Sequence, residues 1–239
     1  MLPGIESWFD LGNKSKTGSA TGLHKVEQIA EQINMILRYI PYIQTNFVLG
    51  IDADEGEEPF ELTKKFVDMT PGAFPGYSLL SAFGRAAPLN LEYQKLQRVL
   101  PFPFHFLDNN HAMNVKPLNY NWTEFYSHII SLGEHSFSWK AISRRLIATK
   151  AFIPRWMNVV RAISEEGFGR VAYNKEILKN LNSNIKFRDY FEQETTRLPG
   201  FYLNMIKKEL GSLWEWLPER ALFHDQNAYL KSDVKRMAV

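Results

Sequence analysis

The first 84 residues alternate three short apolar runs with two helix-forming stretches, and that alternation restricts this part of the chain to an α/β layer. Met1 to Glu6 is short and apolar and reads as the end of a strand. Val26, Ile29, Ala30, Ile33, Leu37 and Ile40 then recur at three- and four-residue spacing, which predicts a helix from His24 to Tyr39 with one apolar face. Thr21 stands where it can cap the start, and Pro41 ends the helix because it lacks an amide and clashes with the preceding turn. Ile43 to Ile51 follows as a strand. Its Phe47-Val48-Leu49 run is apolar on successive residues, which predicts burial on both faces. Pro59 suits a first helical position, with Glu58 and Glu61 at the positive end of a helix reaching about Met69. Pro71, Gly72, Pro75 and Gly76 break the chain, and Tyr77 to Phe83 reads as a third buried strand. Crossovers of this length suit parallel pairing, and three strands leave two edges exposed.

Beyond Asn90 the pattern changes. Leu91 to Val99 reads as a helix, and the proline- and aromatic-rich stretch Leu100 to Asn119 as irregular chain or one short edge strand. Asn121 to Leu132 is helical, with Trp122, Phe125, Tyr126 and Ile129 on one face. After Ser138 the expected helices are Trp139 to Thr149, Pro154 to Glu165, Lys175 to Leu181, Lys186 to Leu198 and Phe201 to Leu217. Gly167-Phe168-Gly169-Arg170 reads as a helix C-cap followed by a turn. The aromatic side chains of this region, at helical spacing, are expected mostly in a core, with some surface meant for a partner.

Composition narrows the functions. Of 239 residues, 45% are hydrophobic and 14% aromatic, which excludes a disordered chain. Twenty-eight Lys/Arg against 26 Asp/Glu leave a net charge of +2, so there is no bulk electrostatic reason to bind nucleic acid or a membrane. Met1 to Asp10 has neither the basic stretch nor the apolar run of a signal peptide, and no stretch reaches the ~20 apolar residues of a membrane span, so a cytoplasmic location is expected. The chain has no cysteine, hence no disulfide and no thiolate-held metal of its own.

The acidic run Asp52, Asp54, Glu55, Glu57 and Glu58 places Gly56 at the fifth position, where a calcium loop has it at the sixth, and reads as a solvated turn. His105 and His111 flank Asp108, yet no His-x-x-x-His pair exists to pre-form a metal site, and all six histidines read as ordinary surface or core residues. His224-Asp225 has the composition of an acid–base pair but no visible pocket, and Lys14 and Lys16 read as part of a solvated loop.

Taken in order, Gly4-Ile5-Glu6-Ser7, the following polar loop, the amphipathic helix, Phe47-Val48-Leu49-Gly50, the second helix and Pro75-Gly76-Tyr77-Ser78-Leu79-Leu80 resemble strands four to six of the radical S-adenosylmethionine (SAM) core. Gly84-Arg85 and Arg98-Val99-Leu100 resemble the run after the sixth strand in branches that carry Gly-(Ile/Val)-Glu-Ser, including cobalamin-associated and methylthiotransferase-like ones. The resemblance covers roughly residues 1–130. It implies a six-unit partial barrel whose first unit bears three cysteines holding a [4Fe–4S] cluster, with SAM bound across the carboxyl ends of the strands and cleaved to a deoxyadenosyl radical.

Carried over by position, the resemblance places Glu6 and Ser7 beside the ribose and methionine parts of SAM. Val48 would lie against adenine, with Gly50 allowing close backbone approach, and Ser78 and Leu80 would lie on the strand that offers backbone contacts to adenine. The chain departs from the fifth-strand motif Gly-x-Ile-x-Gly-x-x-Glu at both ends, with Asn46 for the first glycine and Ala53 for the glutamate. The cysteine loop and its half of the barrel are absent. The expected architecture is therefore an α/β, partial parallel (β/α) barrel fragment of about three strands, followed by a mostly α-helical C-terminal region. Its expected domains are 1–132 and 133–239. The expected function is that of a fragment of a radical SAM enzyme, inactive alone. It would be completed by a missing N-terminal half of the barrel or a companion chain that brings the [4Fe–4S] cluster. The alternative is a non-catalytic helical interaction or scaffold module.

Overall fold

The computed structural model describes residues 1–9, 20–83, 87–107, 111–218 and 220–223. Lys14, Lys16, Gly84-Arg85, Asp108 and His224-Asp225 lie outside the described residues. Backbone contacts divide the chain into two interleaved units. One comprises Met1–Ser78 with Leu118–Lys179, the other Leu79–Pro117 with Asn180–Val239. The boundary expected between 132 and 133 falls inside a helix, Trp122–Ser136.

The first unit holds a three-stranded parallel open sheet, β1 (Gly4–Ile5), β2 (Gln44–Leu49) and β3 (Phe74–Leu79), in the order β1-β2-β3. Helix α1 (Gly22–Ile36) crosses from β1 to β2, and α2 (Glu58–Met69) from β2 to β3. Thr21 is the N-cap of α1, but its side chain makes no capping bond. The acids Glu58 and Glu61 and Pro59 occupy the first turn of α2 as expected. α1 and α2 pack against each other, and Phe66 of α2 lies against Phe47 of β2 with ring centroids 5.6 Å apart.

Two strand expectations change. β2 alternates, with Thr45, Phe47 and Leu49 buried and Gln44, Asn46 and Val48 only half-buried, so one face is covered and not both. The polar side chains of Gln44 and Asn46, joined by a 2.6 Å hydrogen bond, suit a face that helices do not cover. β3 begins at Phe74, earlier than the expected Tyr77, so Pro75 and Gly76 lie within it. Proline is tolerated there because β3 is an edge strand and needs no donor on its outer side. Gly76 leaves room for its neighbours: a Cβ at that position would stand 2.7 Å from the flexible ends of both the Asn46 and Gln44 side chains, which would have to shift.

Three further helices complete this unit's core: α4 (Trp122–Ser136), α5 (Trp139–Ala148) and α6 (Phe152–Ile163). Asn121 caps α4 by accepting from the Glu124 amide at 2.8 Å, and Trp122, Phe125, Tyr126 and Ile129 are buried on one face as their spacing predicts. Arg145 of α5 is buried, donating to the carbonyls of Ala73 and Ser136, and burial lowers its pKa to about 10. The expected C-cap at Gly167-Phe168-Gly169 is a π-helical turn, Glu165–Gly169, leading straight into α7 (Arg170–Ser183). A Cβ at Gly167 would lie 1.9 Å from the Ala162 carbonyl oxygen, so only glycine permits that turn.

The second unit contains α3 (Pro88–Lys95), α8 (Ile185–Phe191), α9 (Gly200–Leu210) and a 3₁₀ turn at Gly211–Trp216. α8 stops at Phe191, short of the expected Leu198, where Gln193 takes a left-handed φ of 66°. The aromatic-rich stretch after Val99 contributes an antiparallel bridge, Val99 to Val115, and otherwise irregular chain. Phe102 is fully buried, edge-on to Tyr190, Phe191 and Tyr202 at centroid distances of 5.0, 5.8 and 5.0 Å. These pairs add directional attraction to area burial. Truncation at this point leaves a large cavity, so Phe102→Ala is expected to destabilise the chain by about 3–5 kcal/mol in denaturant titration; a change below about 1 kcal/mol would mean Phe102 is not a core residue.

Candidate functional site

The strand ends converge on one rim. β1 pairs with β2 in parallel, Gly4 opposite Asn46 and Ile5 opposite Phe47. Amides of Gln44 and Asn46 donate to the carbonyls of Met1 and Pro3 at 3.1 and 2.9 Å. Continuing that register sets Glu6 beside Val48 and Ser7 beside Leu49, at the carboxyl ends of both strands. In parallel α/β sheets ligands bind outside this edge.

Two side chains fix the rim. Trp8 is buried between Phe47 and Phe66, at centroid distances of 6.1 and 5.4 Å, and its indole N–H donates to Thr63 Oγ1 at 2.8 Å. Thr63 Oγ1 in turn donates to the Pro59 carbonyl. This anchors the chain leaving β1 onto α2. The second is Asp54. Its buried carboxylate accepts from the Ser7 hydroxyl and from the backbone amides of Gly50 and Ile51. It therefore ties the end of β1 to the turn after β2. Gly50 turns there with φ of 85°, a left-handed conformation that glycine adopts without strain. Asn119 holds the same turn from outside, donating to the carbonyls of Asp52 and Asp54 at 3.1 and 3.0 Å, and Tyr120 donates to the Gly56 carbonyl at 2.9 Å.

The residues singled out by resemblance divide into three groups. Glu6 is exposed at the rim, and Val48 is half-buried on the sheet face opposite Phe47. Ser7 and Gly50 are buried and already engaged. Ser7 donates to Asp54 and accepts from the Phe9 amide at 3.1 Å, and Gly50 makes the turn. Ser78 is half-buried on β3, two residues beyond Gly76 and so on the sheet face that carries Asn46. Leu80 is buried in the second unit.

Asp54 is the residue that sequence reasoning missed. The acidic run reads as a solvated turn, and four of its five acids give no reason to doubt it. Asp54 departs because the Gly50 turn folds it back under the strand ends. No pattern within the run marks that acid, and only its separation from a glycine that needs positive φ hints at it. Among the described residues no group of three His, Cys, Asp or Glu side chains could hold a metal ion. His128, half-buried, stacks on Phe60 with ring centroids 4.8 Å apart. No described helix is long and apolar enough to cross a membrane.

Comparison with protein-family models, with curated proteins and with solved structures returned no match.

Burial pushes the Asp54 carboxyl up to about 7 from an ordinary 3.8, against the opposing pull of its three donors. The folded chain thus holds this proton more tightly than the unfolded chain. The associated stability is fully present below about pH 3.8 and is lost as pH rises through about 7. Thermal unfolding across this interval is expected to show a falling midpoint in the wild type and a flatter profile in Asp54→Asn. Parallel profiles would show that Asp54 is not the buried group.

Proposed function

We propose that the chain is the C-terminal part of a radical SAM enzyme, forming half of the SAM-binding rim and depending on another stretch of polypeptide for the cluster-bearing half. The observation that carries this reading is the sheet itself. Its strands lie in sequence order, α1 and α2 pack together, and α2 packs on the Phe47 face, while Gln44, Asn46 and Val48 on the other face are only half-buried. Winding in one direction with helices on one side is the habit of (β/α) barrels, in which the other face of each strand points inward. A doubly wound sheet would have helices on both faces.

The residues present fit part of the ligand. An exposed Glu6 carboxylate can accept from ribose hydroxyls, and Val48 offers an apolar surface for adenine. Ser7 supports the rim through Asp54 and Phe9, which favours a positioning role over direct contact. The [4Fe–4S] cluster does not fit this chain, since no cysteine is present to hold it. Radical chemistry therefore belongs to the completed barrel, and the part of this chain is to shape the adenosyl side of the pocket.

Three strands enclose too little of a nucleoside-sized ligand for strong binding. Isothermal titration of the chain alone is expected to show SAM affinity no tighter than about millimolar. Joined to a barrel half carrying a Cys-x-x-x-Cys-x-x-Cys loop, it should bind SAM at least about tenfold more tightly, with Glu6→Ala weakening that gain. Micromolar binding by the isolated chain, or no gain on joining, would overturn the half-site reading.

A further inference from the structure

The α5–α6 hairpin presents a surface that the rim does not use. Phe152, Ile153, Trp156, Met157 and Val160 recur on one face of α6 and line one shallow apolar groove. They are between 42% and 73% exposed, and Ile147 near the end of α5 is 80% exposed. Isolated exposed apolar residues are ordinary, whereas a contiguous stripe of this size marks an interaction surface. The opposite side of α6 is anchored: Asn158 and Ala162 are buried, and Asn158 donates to Thr149 at 3.1 Å. The helix is therefore fixed in rotation with its stripe facing solvent.

Charge identifies what fits there. Between Glu134 and Glu165 the chain has six Lys/Arg and no Asp or Glu. Arg144 pairs with Asp68, Arg161 with Glu166, and Arg145 is buried. Arg155 is half-buried and donates to the Thr149 carbonyl at 2.9 Å, whereas Lys140 and Lys150 are exposed and form no ion pair among the described residues. A second copy of the chain would set like charge against like. A bilayer with anionic headgroups matches both properties, since Trp and Phe favour the boundary between headgroups and acyl chains and unpaired Lys/Arg meet lipid phosphates.

We propose that α6 lies in the plane of an anionic lipid surface, with Phe152, Trp156 and Val160 in the headgroup boundary and Lys150 against the phosphates. This rests on α5 and α6 alone and stands whether or not the rim binds SAM.

The test is sedimentation of the full chain with vesicles of phosphatidylcholine, with and without phosphatidylglycerol. The wild type is expected to co-sediment with the anionic vesicles, less so in high salt, and at least about tenfold less with phosphatidylcholine alone. Phe152→Glu and Trp156→Glu, both at exposed positions, should retain the helical circular dichroism of the wild type and weaken vesicle binding at least about tenfold. Lys150→Glu should remove most of the preference for anionic lipid. Absence of wild-type binding, as expected if an acidic protein covers the stripe instead, would overturn the proposal. So would folded Phe152→Glu and Trp156→Glu variants that bind like the wild type.

Discussion

A two-residue strand cannot hold its own register, and the rim exists because the Ser7–Asp54 hydrogen bond and the Trp8 indole hold it instead. β1 contributes only Gly4 and Ile5 to the ladder. So short a pairing would slip or fray if left to backbone bonds alone. Trp8 packs the departing chain between β2 and α2, and Asp54 reaches back from the turn after β2 to the hydroxyl at the end of β1. Burying a carboxylate is costly unless it is hydrogen-bonded, and three donors from two segments offset only part of that cost, since burial still raises the Asp54 carboxyl to about 7. Glu6 and Val48 are side by side because of these contacts, and any ligand role they have depends on the same geometry.

Helix positions and the α/β class were legible because periodicity reports them directly. The apolar face of α1, the Pro59 start of α2 and the apolar face of α4 each follow from local chemistry. Burial was less legible. Phe47-Val48-Leu49 looks like a strand covered on both faces, yet the covered face is decided by which side the crossover helices take, and that is a property of chain winding. Pro75 and Gly76 look like a break, but edge position and close approach to Asn46 make them suitable strand residues. Their meaning depends on neighbours far away in sequence.

Two local features were hidden by averaging. One acid in a run of five is buried while its neighbours share the same composition. A net charge of +2 gives no hint that thirty consecutive residues, 135–164, hold six cations and no acid. That segment coincides with the exposed stripe of α6, and the coincidence became visible only once exposure was known residue by residue. The resemblance pointed to strand ends, where conformation is tightly restricted. It singled out Glu6, exposed at the rim, and Val48, half-buried on β2, and with them Ser7 and Gly50, whose places are explained by holding the rim.

A double-mutant cycle on Ser7→Ala and Asp54→Asn, read by denaturant unfolding at a pH below the Asp54 value, tests the rim most directly. If the two side chains join the strand ends as described, their effects are non-additive, with a coupling of at least about 0.5 kcal/mol. Effects that add to within about 0.3 kcal/mol would mean the two residues do not meet, and the shared rim would lose its support.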